Sequence, residues 1–323
     1  MIDIQRLAVL REVARAGSFA GAAGALHHTP SAVSQQIAAL ERSTGLPLVN
    51  RSTRGVTLTD AGRLLLSTAD TVHAEVRAAE RQLQYFHTDG PRTLTVATFS
   101  SAGASLLAPA LTALVDERPD TAITVLEAEP DDALAHLRSG DVDLALVYHY
   151  GARKPPIHWT AQAGAGDYVS LVEDPLRLVV PDAYSLVHEP TVDIADLTSN
   201  RWISGWGDTG DVLDSLAGVA GFRPDIACRA SDYRFMTALV AAGVGVALIP
   251  QLALQPQRGV QALTLSPEPV RHVGAYQPRR RWRHRAADTL LIVLQQQART
   301  WTTQLRWEPS SVSTDAPGNP PER

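Results

Sequence analysis

Ser31, Ser34 and Gln35 stand near the start of a segment with helical spacing, and Arg51 and Arg54 follow a short way downstream. Two hydroxyls and a primary amide presented together suit hydrogen bonding at the edges of bases. A glutamine pairs with adenine in two places, serine bonds to bases or phosphates, and guanidinium groups hold phosphates. The flanking residues explain how such groups would be presented. Ser18 is placed as an N-cap, and Phe19, Ala22, Ala23 and Leu26 fall on one face of a short helix. Thr29 caps a second helix with Pro30 at its first position. On it Val33, Ile37 and Leu40 form a stripe to be buried, and a turn of roughly 100° per residue leaves Ser31, Gln35, Ala38 and Arg42 opposite, with Ser34 at their flank. The first helix is almost entirely Ala and Gly, which lets another backbone pack close. A small hairpin at 51–57 brings the two arginines beside the polar face. These residues predict a winged helix-turn-helix that binds double-stranded DNA through Thr29, Pro30, Ser31, Ser34, Gln35, Arg51 and Arg54.

Within residues 2–62, the runs Gly17-Ser18-Phe19, Thr29-Pro30-Ser31-Ala32-Val33-Ser34, Leu40-Glu41, Gly45-Leu46-Pro47-Leu48, Arg51 and Leu58-Thr59-Asp60-Ala61-Gly62 carry a specific likeness. They resemble the DNA-binding domain of LysR-type transcriptional regulators, and the resemblance extends over residues 1–300. Val49 stands where that family commonly has an aromatic, and Gln35 where an arginine is frequent.

The net charge of −5 is unevenly placed. Residues 1–63 hold seven arginines against four acids, so this head carries +3 and the rest of the chain −8. A mildly basic head on an acidic body puts phosphate attraction at one end, and tight binding then calls for more than one copy. No apolar run reaches the length of a membrane span and no secretion signal opens the chain, so the expected location is cytoplasmic, without membrane contact. A single cysteine, Cys228, forms no internal disulfide. That argues against the branch of the family that senses peroxide through a cysteine pair.

After the hairpin, Thr59 is placed to cap a long helix reaching Phe86. Leu65, Ala69, Val72, Val76, Ala79, Leu83 and Phe86 recur at alternating steps of four and three, a heptad seam with too little neighbouring sequence to fold against. Leu65, Val72, Val76, Leu83 and Phe86 are therefore the expected dimerisation residues, as the resemblance also implies. Asp89-Gly90-Pro91 ends the helix as a hinge. Strands at 94–98, 122–127 and 144–148 alternate with helices at 104–116 and 131–138, the order of a parallel sheet with right-handed crossovers. A second set follows: strands at 176–180, 201–204, 226–229, 246–249, 260–265 and 270–276, with helices at 212–219, 233–242 and 286–304.

The fold class is thus α/β: a winged helix-turn-helix at 1–58, a linker helix and hinge at 59–90, and an effector domain at 91–304. By resemblance this last part is two subdomains like a periplasmic solute-binding protein, the first at 92–162 with 268–304, the second at 163–267. Residues 309–323 are rich in Ser and Pro and are expected to be disordered, as part of a tail at 305–323.

Ligands of open α/β sheets sit beyond the carboxyl ends of strands. Phe99, Ser100 and Ser101 follow the first strand, Tyr148 and His149 end the third, and Ser204, Gly205 and Trp206 end a strand of the second half. They are the expected lining of an effector site between the subdomains, suited to an anionic, partly apolar metabolite. No nucleophile elbow, phosphate loop or metal-binding histidine pair stands out, so no enzyme, cofactor or metal is expected. The resemblance implies a homodimer or homotetramer on an operator of inverted-repeat character, acting with RNA polymerase. Two other classes share parts of this pattern: a solute-binding protein or transferase, which leaves the basic head unexplained, and an architectural DNA binder, which leaves the two-lobed half unexplained.

Overall fold

The computed structural model describes residues 2–53, 55–87, 92–162, 166–205, 208–279 and 284–304. The chain opens with α1 (Ile4–Ala16), α2 (Phe19–Leu26) and α3 (Pro30–Thr44). Asp3, Ser18 and Thr29 accept hydrogen bonds from the Gln5, Gly21 and Ala32 amides, so each helix start is satisfied by a side chain. Val33, Ile37 and Leu40, the stripe read from spacing, are all 0 % exposed and close on Leu10, Val13, Ala22 and Ala23.

Next come β1 (Val49–Ser52) and β2 (Gly55–Leu58), an antiparallel hairpin with Val49 opposite Leu58. Gly55 has φ +131°, and a Cβ there would lie 2.6 Å from the Gly17 carbonyl oxygen. The Val56 amide donates to that same carbonyl at 2.8 Å, which ties the wing to the end of α1. The long helix α4 (Asp60–His87) begins where the Gly62 amide donates to Thr59 Oγ1 at 3.0 Å. A Cβ at Gly62 would collide with the Leu48 carbonyl oxygen, so glycine is what lets α4 start against the wing.

Beyond α4 run β3 (Arg92–Thr98), α5 (Ser100–Ala102), a wide helical turn at Gly103–Leu107, α6 (Ala108–Glu117), β4 (Thr121–Glu127), α7 (Pro130–Ser139), β5 (Leu144–Tyr150) and α8 (Ile157–Gln162). Then follow β6 (Asp167–Pro181), β7 (Thr191–Asp193), β8 (Arg201–Ser204), α9 (Asp208–Val219), β9 (Asp225–Arg229), α10 (Tyr233–Ala241), β10 (Val246–Pro250), β11 (Val260–Ser266), β12 (Val270–Gln277) and α11 (Arg285–Gln304). Contacts divide the chain into two units. The first holds Met1–Glu173 with Arg271–Gln295, and the second holds Asp174–Val270 with the chain from Gln296.

The parallel order expected for the strands at 94–98, 122–127 and 144–148 is present in β3, β4 and β5, and added strands make the pairing mixed in both units. In the first, β3 runs parallel to β4 and β5, each joined by a crossover helix, but β12 lies antiparallel to β5. In the second, β8 is parallel to β9 and β10, while β6 is antiparallel to β10 and β11. The strands that break the rule are the long ones, β6 and β12, whose residues are shared between the units and which no βαβ crossover aligns. The hinge at 89–91 and the tail at 305–323 lie outside the described residues.

Candidate DNA interface and effector-binding residues

On α3, Ser31 and Gln35 are exposed and Ser34 is half-buried at their side, on the face turned away from the buried stripe. Thr29 Oγ1 lies 3.0 Å from Ser31 Oγ, so the cap and the first polar side chain are linked. Arg51 on β1 donates from Nη1 to Ser34 Oγ at 3.2 Å, and its guanidinium lies 4.9 Å from the centre of the Phe19 ring. The wing arginine is thereby held against the polar face of α3 before any ligand arrives. Arg54 lies outside the described residues.

Glu41 is a positioning residue to which sequence reasoning gave no role. One carboxylate oxygen accepts from the Leu48 amide at 2.9 Å and the Val49 amide at 3.3 Å, pinning β1 to the end of α3. Two bonds to a charged acceptor give an expected loss of about 2–3 kcal/mol for Glu41→Ala. Denaturant unfolding of the full chain checks this, and an unchanged midpoint would remove Glu41 from the wing's support.

The seam on α4 is divided in its surroundings. Ala69 is buried in the head's core and Leu65 packs against it, so the helix does have protein of its own to fold on at that end. Val72 is half-buried, while Val76 is 43 % and Leu83 58 % exposed. The Phe86 side chain lies outside the described residues.

In the first unit, strand ends bring four residues together. Arg271, at the start of β12, is 1 % exposed and donates from Nη2 to Ser101 Oγ at 2.7 Å. Its guanidinium lies 5.0 Å from the Phe99 ring centre and 4.9 Å from that of Tyr148. The two rings meet edge to face at 4.8 Å, and the Tyr148 hydroxyl donates to Glu129 Oε2 at 2.9 Å. Ser100 is exposed next to this group. No sequence feature singled out Arg271, because it enters from a strand far along the chain.

His149 does not join them. Successive residues of a strand face opposite sides, and its ring lies with Trp159, Tyr168 and His272 at 5.8, 6.1 and 5.3 Å. Burial, then the neighbouring His272, pushes its imidazole below the ordinary histidine range. Burial and then Tyr276 raise the Tyr168 phenol to about 12. A histidine lowered by folding contributes stability fully above its unfolded value of about 6.5, and loses it as pH falls through the folded value. Melting temperatures should therefore drop on acidification below about pH 6.5, and less steeply in His149→Phe. Parallel pH profiles for the two proteins would discard the assignment.

In the second unit, Ser204 and Gly205 end β8 in buried positions, with Ser204 Oγ donating to the Gly205 carbonyl at 3.2 Å. Trp206 lies outside the described residues.

Residues 4–63 match the family model described as "Bacterial regulatory helix-turn-helix protein, lysR family", and residues 88–299 match "LysR substrate binding domain". The chain belongs to the LysR family. It is a DNA-binding transcriptional regulator with an effector-binding domain. The activator of the hca operon in Escherichia coli, HcaR, is 28 % identical over 77 % of this chain and 82 % of its own length. The dual regulator OxyR of the same organism is 29 % identical over 86 % of this chain and 90 % of its own. A full-length OxyR variant from Pseudomonas aeruginosa shares the fold with a TM-score of 0.59 at 18 % identity, covering 91 % of this chain and 95 % of that one. Among the described residues no helix is long and apolar enough to cross a membrane.

Proposed function

We propose that this LysR-family chain reads an operator with the exposed start of α3 and answers to an anionic, partly apolar metabolite. The observation that carries the first half is the Arg51–Ser34 contact, which presents a wing cation and a helix hydroxyl side by side. Ser31, Ser34 and Gln35 contact bases, the helix start at Thr29 and Pro30 faces phosphate, and Arg51 and Arg54 hold phosphates. The effector half rests on Phe99, Ser100, Ser101, Tyr148 and Arg271 in the first unit, where rings and hydroxyls surround a guanidinium, with Ser204, Gly205 and Trp206 assigned to it in the second. With one cysteine, Cys228, the chain has no intramolecular disulfide to make, so a bound ligand and not a cysteine pair is its signal.

The protein works in the cytoplasm as a regulator and not as an enzyme. The domains run as 1–58, 59–90 and 91–304. Copies pair through Val72, Val76, Leu83 and Phe86 of α4, with Leu65 at the head end, into dimers and then tetramers that act with RNA polymerase. A shift assay on the DNA beside the protein's own gene, with and without candidate metabolites, tests the reading as a whole. Gln35→Ala should relax preference at one base pair by about 1–3 kcal/mol. Arg51→Ala and Arg54→Ala should weaken binding to all DNA alike and flatten its salt dependence. A changed base preference in Arg54→Ala at constant salt slope would reverse that division of roles.

A further inference from the structure

Asp70 on α4 is a carboxylate held by two arginines from two different parts of the chain. It is 6 % exposed. Arg11 of α1 donates from Nε to Oδ1 at 2.7 Å, and Arg138 of α7 places Nε 3.0 Å from Oδ2. One helical turn pair along, Arg77 Nη2 donates to Asp141 Oδ1 at 3.3 Å, just past the end of α7. Asp141 Oδ2 accepts from Ser139 Oγ at 2.6 Å and lies 3.5 Å from His136 Nδ1. Ala74, between the two ion pairs, and Ala78, next to Arg77, are buried, small enough for α7 to lie close. Residues 70, 74 and 77 share a face of α4, roughly opposite the face of Val76 and Leu83.

The chemistry of this arrangement is unequal on its two sides. A carboxylate this poorly hydrated is costly to leave unpaired. Arg11 belongs to the same packed head as the first turns of α4 and stays with Asp70 whatever α7 does. Arg138 belongs to the effector-binding domain and supplies the second charge only while α7 is docked. The Arg77–Asp141 pair is about half exposed and is therefore the weaker, screened member.

We propose that Asp70, with Arg11 and Arg138, is a latch that holds the reading head and linker helix to α7 in one posture, and that its release is a step by which the effector-binding domain changes DNA binding. A ligand acts through it to the extent that it binds the docked and released forms unequally. The regulatory consequence rests on the function proposed above, while the latch itself does not.

Arg138→Gln in the full chain removes the second charge and leaves Arg11 to satisfy Asp70. Hydrogen exchange should then quicken at least about fivefold in α7 and along residues 70–78, with the head's core around Leu10, Ile37 and Leu40 unchanged. Arg138→Lys should recover most of the protection. On the same operator the Gln variant should shift the footprint, or change affinity about fivefold or more. Unchanged exchange overturns the latch, whereas faster exchange with an unaltered footprint and affinity overturns its regulatory use. If the unmodified protein bound no DNA, the function proposed above would fall and take the regulatory use with it, while the exchange arm would still decide whether the contact exists.

Discussion

Val76→Glu combined with Leu83→Glu is expected to turn the assembled protein into monomers and to abolish tight operator binding. Both side chains are exposed on α4, on the face roughly opposite the one that meets α7, and neither is buried by the described residues. Seating them between two helices buries apolar surface, and a glutamate there would be desolvated without a partner. Four such charges per dimer should cost well over 4 kcal/mol, which is more than a thousandfold in the dissociation constant. Each monomer would keep its folded head, since the core around Leu10, Ile37 and Leu40 lies elsewhere. It would lose the second half-site. Sedimentation should show the monomer mass, and circular dichroism an unaltered helix content. A double variant that still sedimented as the parent oligomer would move the interface off this face.

The head was legible from residue spacing because its determinants are local. Caps at Ser18 and Thr29, the proline at 30 and the stripe Val33, Ile37, Leu40 all act within one or two turns, and the structure repeats them residue for residue. The linker seam was legible in period but not in surroundings. Spacing shows that Leu65 and Ala69 are apolar and aligned, not that the head's own core takes them up. The apolar run at 176–180 is much shorter than β6, because Glu173, Asp174 and Pro175 interrupt it. Asp174 nevertheless points inward, where it accepts the Leu252 amide at 2.9 Å, a partner 78 positions away. The candidate effector residues show the same limit. Phe99, Ser101 and Tyr148 can be placed at strand ends from the βαβ pattern, but Tyr148 and His149, adjacent in sequence, go to opposite faces of the strand and do not share a site. Arg271, which holds the group together, is 170 positions from Ser101. Contacts of that span leave no trace in periodicity.

Arg271→Met is expected to abolish the response to an anionic effector while leaving operator binding near normal. The methionine keeps an unbranched apolar stem but removes the guanidinium that lies on the Phe99 and Tyr148 rings and donates to Ser101 Oγ. An anionic group held by this cation loses about 1.5–3 kcal/mol without it, about tenfold or more in effector affinity. Arg271→Lys should recover part of that loss, because it keeps the charge. The head folds around its own core, so shift assays without effector should superimpose on the parent protein's. Linkage adds a second reading: where effector changes DNA affinity, DNA changes effector affinity by the same factor, and the methionine variant should show neither. Calorimetry of candidate carboxylates against the three proteins, with and without operator, measures all of this. An Arg271→Met protein that stayed folded and still answered its effector at the parent concentration would take the guanidinium out of the binding site.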